Sequence, residues 1–121
     1  MEAPRVLVVD DEFFVVELLS TLLGSFGMQM CASAPTADGA VVMARMHLPE
    51  LILMDVRLKG RKDGIEAATE IRETLDVPII FITGSSDRST LERIQRIHQA
   101  VVLIKPFRPD QLQTAITHVM A

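Results

Sequence analysis

The chain has 121 residues, 49% of them hydrophobic and 23% charged, with five Phe and no Trp or Tyr; this describes one domain whose core is built from Leu, Ile, Val, Ala and Met. A net charge of −4 without a dominant basic block argues against direct nucleic-acid binding, and no apolar stretch reaches the roughly 18 residues of a membrane span. The lone Cys31 excludes an internal disulfide and fits a reducing cytosol, and the opening Met1-Glu2-Ala3-Pro4-Arg5 lacks the apolar run of a signal peptide, so a cytoplasmic placement is expected.

Val6-Leu7-Val8-Val9 is a continuous apolar run that stops at Asp10-Asp11, the pattern of a strand buried on both faces. Val15, Leu18, Leu19, Leu22, Leu23 and Phe26 lie on one stripe of a helix, which Gly27 ends. Met28 to Cys31 is a weak second strand. Thr36 or Asp38 starts a helix with Ala37, Ala40, Val41 and Ala44 inward. Leu51-Ile52-Leu53-Met54 is a second buried strand stopping at an acid, Asp55. Val56 to Gly64 is a polar loop. Ile65, Ala68, Ile71 and Leu75 mark a third helix, ended by Pro78. Ile79-Ile80-Phe81-Ile82 is a fourth strand leading to Thr83-Gly84. Leu91, Ile94 and Ile97 mark a more polar fourth helix. Val101 to Ile104 is a fifth strand, closed by Lys105-Pro106. Leu112, Ala115, Ile116 and Val119 form the inner face of the last helix.

Five strands alternating with five helices predict an α/β fold: a parallel sheet covered on both faces in a doubly wound three-layer sandwich. In a parallel sheet all strands end at one edge, so the polar residues at those ends converge whatever their separation in sequence. Here they are Asp10, Asp11, Asp55, Thr83 and Lys105. Three close carboxylates repel one another, and a cation relieves that cost. Oxygen-only ligands favour Mg²⁺. A metal beside a carboxylate and a lysine is an apparatus for phosphoryl transfer: Asp55 as nucleophile, Lys105 neutralising phosphoryl oxygens, and Thr83 donating a hydrogen bond.

With Asp10-Asp11, Leu53-Met54-Asp55, Asp63-Gly64-Ile65-Glu66-Ala67, Thr83-Gly84 and Lys105-Pro106-Phe107 in this order, essentially the whole chain resembles the receiver domains of bacterial response regulators. The resemblance implies a single receiver domain over residues 1–121, of flavodoxin-like architecture. The strand order 2-1-3-4-5 comes from the precedent of a chemotaxis response regulator among doubly wound sheets, not from periodicity. It implies Mg²⁺ on Asp10, Asp11, Asp55 and the backbone carbonyl of Arg57, and a phosphoryl group on Asp55. Thr83 would be the switch hydroxyl, and Lys105 the phosphate-pairing lysine before a cis bond to Pro106. The implied donor is a sensor histidine kinase or a histidine phosphotransfer protein. The output is altered binding of a downstream protein or effector domain, with no direct nucleic-acid or membrane contact. The chain is then not an enzyme beyond its own phosphorylation and dephosphorylation.

Taken singly, each mark has a plainer reading. Asp10 or Asp11 could cap the first helix, Asp55 and Thr83-Gly84 could form turns, and Lys105 could be a surface lysine. His47, His98 and His118 lack metal or triad spacing and read as surface residues. Arg57, Lys59, Arg61 and Lys62 read as a solvated basic loop rather than a partner-steering patch. The chain also departs from the family. The loop Leu58-Lys59-Gly60-Arg61-Lys62-Asp63-Gly64 is one residue longer. His98-Gln99 replaces Gly-Ala before the fifth strand, and Val102 stands where an aromatic residue is usual. Two alternatives stay open. A small Mg²⁺-dependent aspartyl-phosphate phosphohydrolase would carry a second Asp where Arg57 stands. A phosphorylation-independent interaction module would not need the five residues together.

Overall fold

The computed structural model describes residues 2–121, so Met1 of the expected 1–121 domain lies outside the described residues. Its elements are β1 (Arg5–Val9), α1 (Phe13–Ser25), β2 (Gln29–Ala34), α2 (Ala37–His47), β3 (Leu51–Asp55), α3 (Gly64–Arg72), β4 (Ile79–Thr83), α4 (Arg88–Gln95), β5 (Ala100–Ile104) and α5 (Pro109–Met120). The five strands form one sheet in the order β2-β1-β3-β4-β5, every pairing parallel. The doubly wound sandwich expected from the apolar runs is therefore the fold observed. No helix among the described residues is long and apolar enough to cross a membrane.

Successive strand residues point to opposite faces, and the two halves of the core follow from that alternation. Leu7, Val9, Ile52, Met54, Ile79 and Phe81 pack against Ala40, Val41 and Ala44 of α2, Ile65, Ala68 and Ile71 of α3, and Ile94 of α4. Val6, Val8, Leu51, Leu53, Ile80 and Ile82 pack against Val16, Leu19 and Leu23 of α1 and Leu112, Ile116 and Val119 of α5. Each large aliphatic side chain so buried contributes about 1.5 to 3 kcal/mol. Every residue of β3 and β4 is buried, whereas β5, at the sheet edge, buries only Leu103.

Several expected boundaries shift. The second strand, read as Met28 to Cys31, runs from Gln29 to Ala34. Its small and polar residues, Gln-Met-Cys-Ala-Ser-Ala, hide it from an apolar-run criterion, and parallel pairing with β1 defines it instead. The inner stripe of α1 is Val16, Leu19 and Leu23; Leu18, placed on that stripe from its spacing, is 53% exposed. The third helix stops at Arg72 rather than running on toward Pro78. Beyond it the chain turns back, with Leu75 N–H donating to the Ile71 carbonyl at 2.9 Å. Ile97 lies just past the end of α4.

One local departure has a visible solution. Gln99, the second residue of the His98-Gln99 pair before β5, adopts φ +56 and donates its side-chain N–H to the Val119 carbonyl at 3.3 Å. The bond between Lys105 and Pro106 is cis, as expected.

Candidate functional site

The carboxyl ends of β1, β3, β4 and β5 meet at one edge. β3 carries Asp55 as its last residue and β4 carries Thr83. Asp10 and Asp11 follow β1 directly, and Lys105 follows β5. Parallel register is what assembles them: Asp55 is level with Ile82, and Thr83 with Ile104.

Asp10, Asp11 and Asp55 each offer an oxygen, and these oxygens all lie within 4.8 Å of one another. Asp10 and Asp55 are buried. Lys105 Nζ stands 3.3 Å from Asp10 Oδ2 and 3.6 Å from Asp55 Oδ2. One ammonium therefore pairs with two of the three clustered carboxylates, and an ion pair of this kind repays its desolvation only where geometry is good. The other Asp10 oxygen accepts the Glu12 N–H at 2.8 Å. Glu12 is the N-cap of α1 and makes no side-chain cap bond, so neither aspartate serves as the ordinary cap of that helix. Asp55 Oδ1 accepts the Arg57 N–H at 3.3 Å.

Burial pushes the Asp55 carboxyl up to about 6. Lys105 opposes this, Asp10 adds to it, the Arg57 N–H opposes it, and Asp11 adds to it. The balance is the expected one for a desolvated acid with like charges beside it. An oxygen-only donor set carrying excess negative charge suits a hard divalent cation such as Mg²⁺.

Above the acids lies an open cavity of about 820 Å³, lined by Asp11, Asp55, Arg57, Thr83 and Lys105 and by the segment Gly84–Asp87. Thr83 is 1% exposed, and its hydroxyl accepts the Ser85 N–H at 3.1 Å. All of Asp10, Asp11, Asp55, Thr83 and Lys105 are thus brought together. Arg57 reaches the site through its backbone while its side chain is exposed. Of the basic loop, Lys62 turns away to Glu70 at 3.3 Å and Asp38 at 3.7 Å, a solvated arrangement as expected. His98 and His118 are exposed and His47 half-buried, none of them at the site.

Three features of the site have contacts that the sequence did not reveal. Ser85 and Asp87 line the cavity wall and also build the start of α4, where Asp87 accepts the Thr90 N–H at 3.1 Å. Gly64 packs against the backbone of Asp55 so closely that a Cβ there would lie 1.9 Å from the Asp55 carbonyl oxygen. Arg93 forks onto Asp63, the N-cap of α3. Of these, Asp87 at the head of α4 carried the sequence signal of a helix cap, and Gly64 stood within the motif Asp63-Gly64-Ile65-Glu66-Ala67.

The family model for the response regulator receiver domain matches residues 6–117. The transcriptional regulatory protein PdtaR of Mycobacterium tuberculosis is 36% identical over 112 residues, covering 93% of this chain and 54% of that protein. The signal receiver domain of a modulated diguanylate cyclase from Desulfovibrio desulfuricans superposes with a TM-score of 0.88 at 32% identity, covering 98% of this chain and 94% of that one. A chain of the CheX–CheY complex from Borrelia burgdorferi reaches 0.92 at 21% identity, covering 99% and 91%, a likeness of fold. The chain belongs to the response-regulator receiver family and is a receiver domain of two-component signalling. It spans about half the length of the curated relatives it matches. Receiver domains are in general non-enzymatic signalling modules that bind Mg²⁺ through an acidic pocket. They act between histidine kinases or phosphotransfer proteins and downstream effectors.

Proposed function

We propose that residues 1–121 act as one receiver domain in which Asp55 takes a phosphoryl group from a phosphohistidine of a sensor histidine kinase or histidine phosphotransfer protein. One observation carries the choice of Asp55. Alone of the three clustered acids, it both lines the cavity and contacts Lys105. Asp10 reaches Lys105 without lining the cavity, and Asp11 lines it without that contact.

In the transfer, an Asp55 carboxylate oxygen forms the new P–O bond as the P–N bond to the donor imidazole breaks. The imidazole leaves with that electron pair and takes up a proton from solvent. An acid held at about 6 is mostly ionised at neutral pH and so is competent to attack. The Lys105 ammonium pairs with an equatorial phosphoryl oxygen. The Thr83 hydroxyl, which accepts from Ser85, has its own proton to donate to another. Asp10, Asp11, Asp55 and the Arg57 carbonyl would hold Mg²⁺, which when bound neutralises charge on the transferring oxygens.

The phosphorylated domain then changes its binding of a downstream protein or effector domain, in the cytoplasm and without direct nucleic-acid or membrane contact. Its only catalysis is of its own phosphorylation and dephosphorylation. Incubation with acetyl phosphate and Mg²⁺ should add one phosphoryl group by intact mass, removable with hydroxylamine as an acyl phosphate. Asp55→Asn should abolish the adduct, because an amide is not a competent nucleophile. Equal labelling of Asp55→Asn and the parent protein would overturn the assignment.

A further inference from the structure

The first turn of α3 is fixed to the backbone of the site. Gly64 N–H donates to the Val56 carbonyl at 2.7 Å, and the Gly64 Cα sits against the Asp55 carbonyl with no room for a side chain. A capping box closes that turn: Asp63 accepts the Glu66 N–H at 2.9 Å, and Glu66 accepts the Asp63 N–H at 3.1 Å. α4 is held far more lightly. Ile94 is its one buried residue. Its pair Arg88–Glu92 and the hydrogen bonds around Asp87 stay within the helix and its own cap.

Beside the apolar contact of Ile94, one ion pair among the described residues joins α4 to the N-cap of α3, and it is a fork. Arg93 Nη1 donates to Asp63 Oδ2 at 2.8 Å and Nη2 donates to Asp63 Oδ1 at 3.2 Å. Two parallel N–H donors on one carboxylate fix orientation as well as distance. The fork closes a ring of structure around the cavity. It runs from the Asp55 backbone through Gly64 and Asp63 to Arg93, then along α4 to Asp87 and Ser85, and back to the Thr83 hydroxyl. Arg93 lowers the carboxyl of Asp63 against the effect of burial, as a paired acid requires.

We infer that the Asp63–Arg93 fork is a latch that holds α4, and with it the Gly84–Asp87 wall of the phosphoacceptor cavity, in the resting position. An interaction made in one state and not in another stabilises the first by its own strength. A partly exposed fork shifts such an equilibrium by roughly 1.5- to 5-fold. That is small against the fold and large enough to set the population of a lightly held helix. The latch's link to phosphorylation rests on Asp55 being the phosphoacceptor; its hold on α4 does not.

Hydrogen exchange by mass spectrometry, on the full chain with and without beryllofluoride and Mg²⁺, separates the two. Asp63→Asn keeps a capping oxygen while removing the charge, and Arg93→Gln alters a surface side chain, so both variants should fold. Without beryllofluoride, each should speed exchange of residues 84–97 by roughly 1.5- to 5-fold, while the first turn of α3 stays protected. The double variant should exchange no faster than either single one, and Arg93→Lys should fall between, since it keeps the charge but not the fork. Beryllofluoride should then speed residues 84–97 in the parent protein and add less in the variants. Unchanged exchange in both single variants, or additive effects in the double one, would overturn the latch. A latch effect that holds while no variant responds to beryllofluoride would count against the phosphoacceptor reading and leave the latch standing.

Discussion

Helix α3 begins against the backbone of Asp55 and helix α4 at the wall of the cavity above it, and they are anchored in opposite ways. α3 starts with a residue whose Cα touches the Asp55 carbonyl and whose first turn is closed by a capping box. Three of its later residues, Ala67, Ala68 and Ile71, are fully buried. α4 starts with exposed hydroxyls gathered around Asp87, buries Ile94 alone, and leans on an edge strand that is itself half-exposed. Asp55 and Thr83 therefore stand on strands that are buried throughout. The wall that must respond to chemistry stands on the element with least to lose by moving.

The sharpest way to break this contrast is to compare two neighbours in register on the same face, Phe81 of β4 and Val102 of β5. Phe81 is fully buried, and Phe81→Ala should cost about 3 to 5 kcal/mol in urea denaturation. Val102 is half-buried, and Val102→Ala should cost about 1 kcal/mol or less. Comparable losses would mean that the β5–α4 side is as tightly built as the centre. Next, Gly64→Ala places a Cβ against backbone that cannot yield, and should cost about 3 kcal/mol. Retention of parental stability would show that the junction of α3 with Asp55 is not rigid.

A smaller effect concerns pH in metal-free protein. The Asp55 carboxyl titrates at about 6 in the fold and at about 4 in an unfolded chain. The folded state thus binds that proton more tightly. Its stabilising contribution is present below about pH 4 and is lost as pH rises through about 6, a change on the order of 2 to 3 kcal/mol. Asp55→Asn removes the charge. With chelator present, its stability should exceed the parent's at about pH 8 and approach it as pH falls toward about 4. Parallel stability curves for the two proteins would show that Asp55 is not strained by its surroundings.

The same contrast governed what could be read from sequence. β1, β3 and β4 are continuous apolar runs because both their faces are covered, and their ends locate Asp10, Asp55 and Thr83 almost by inspection. β2 is made of small and polar residues, and its last three residues are strand only because β1 pairs with them. Leu18 has the spacing of a buried residue, yet no partner covers that side of α1. The site was legible because a parallel sheet brings strand ends together whatever the loops do. The Asp63–Arg93 fork was not, since a pair 30 residues apart leaves no periodic trace. Gly64 was legible as part of a motif, but its reason, the approach to the Asp55 carbonyl, exists only in three dimensions.

Chemical trapping tests most directly the proposal that Asp55 carries the phosphoryl group. Protein phosphorylated with acetyl phosphate and Mg²⁺ is reduced with borohydride, which converts an aspartyl phosphate to homoserine, and is then digested and sequenced by tandem mass spectrometry. Homoserine should appear at position 55, with Asp10, Asp11, Asp63 and Asp87 unmodified. Homoserine at any of those four positions with intact aspartate at 55, or a stable phosphoryl group that resists reduction, would contradict it.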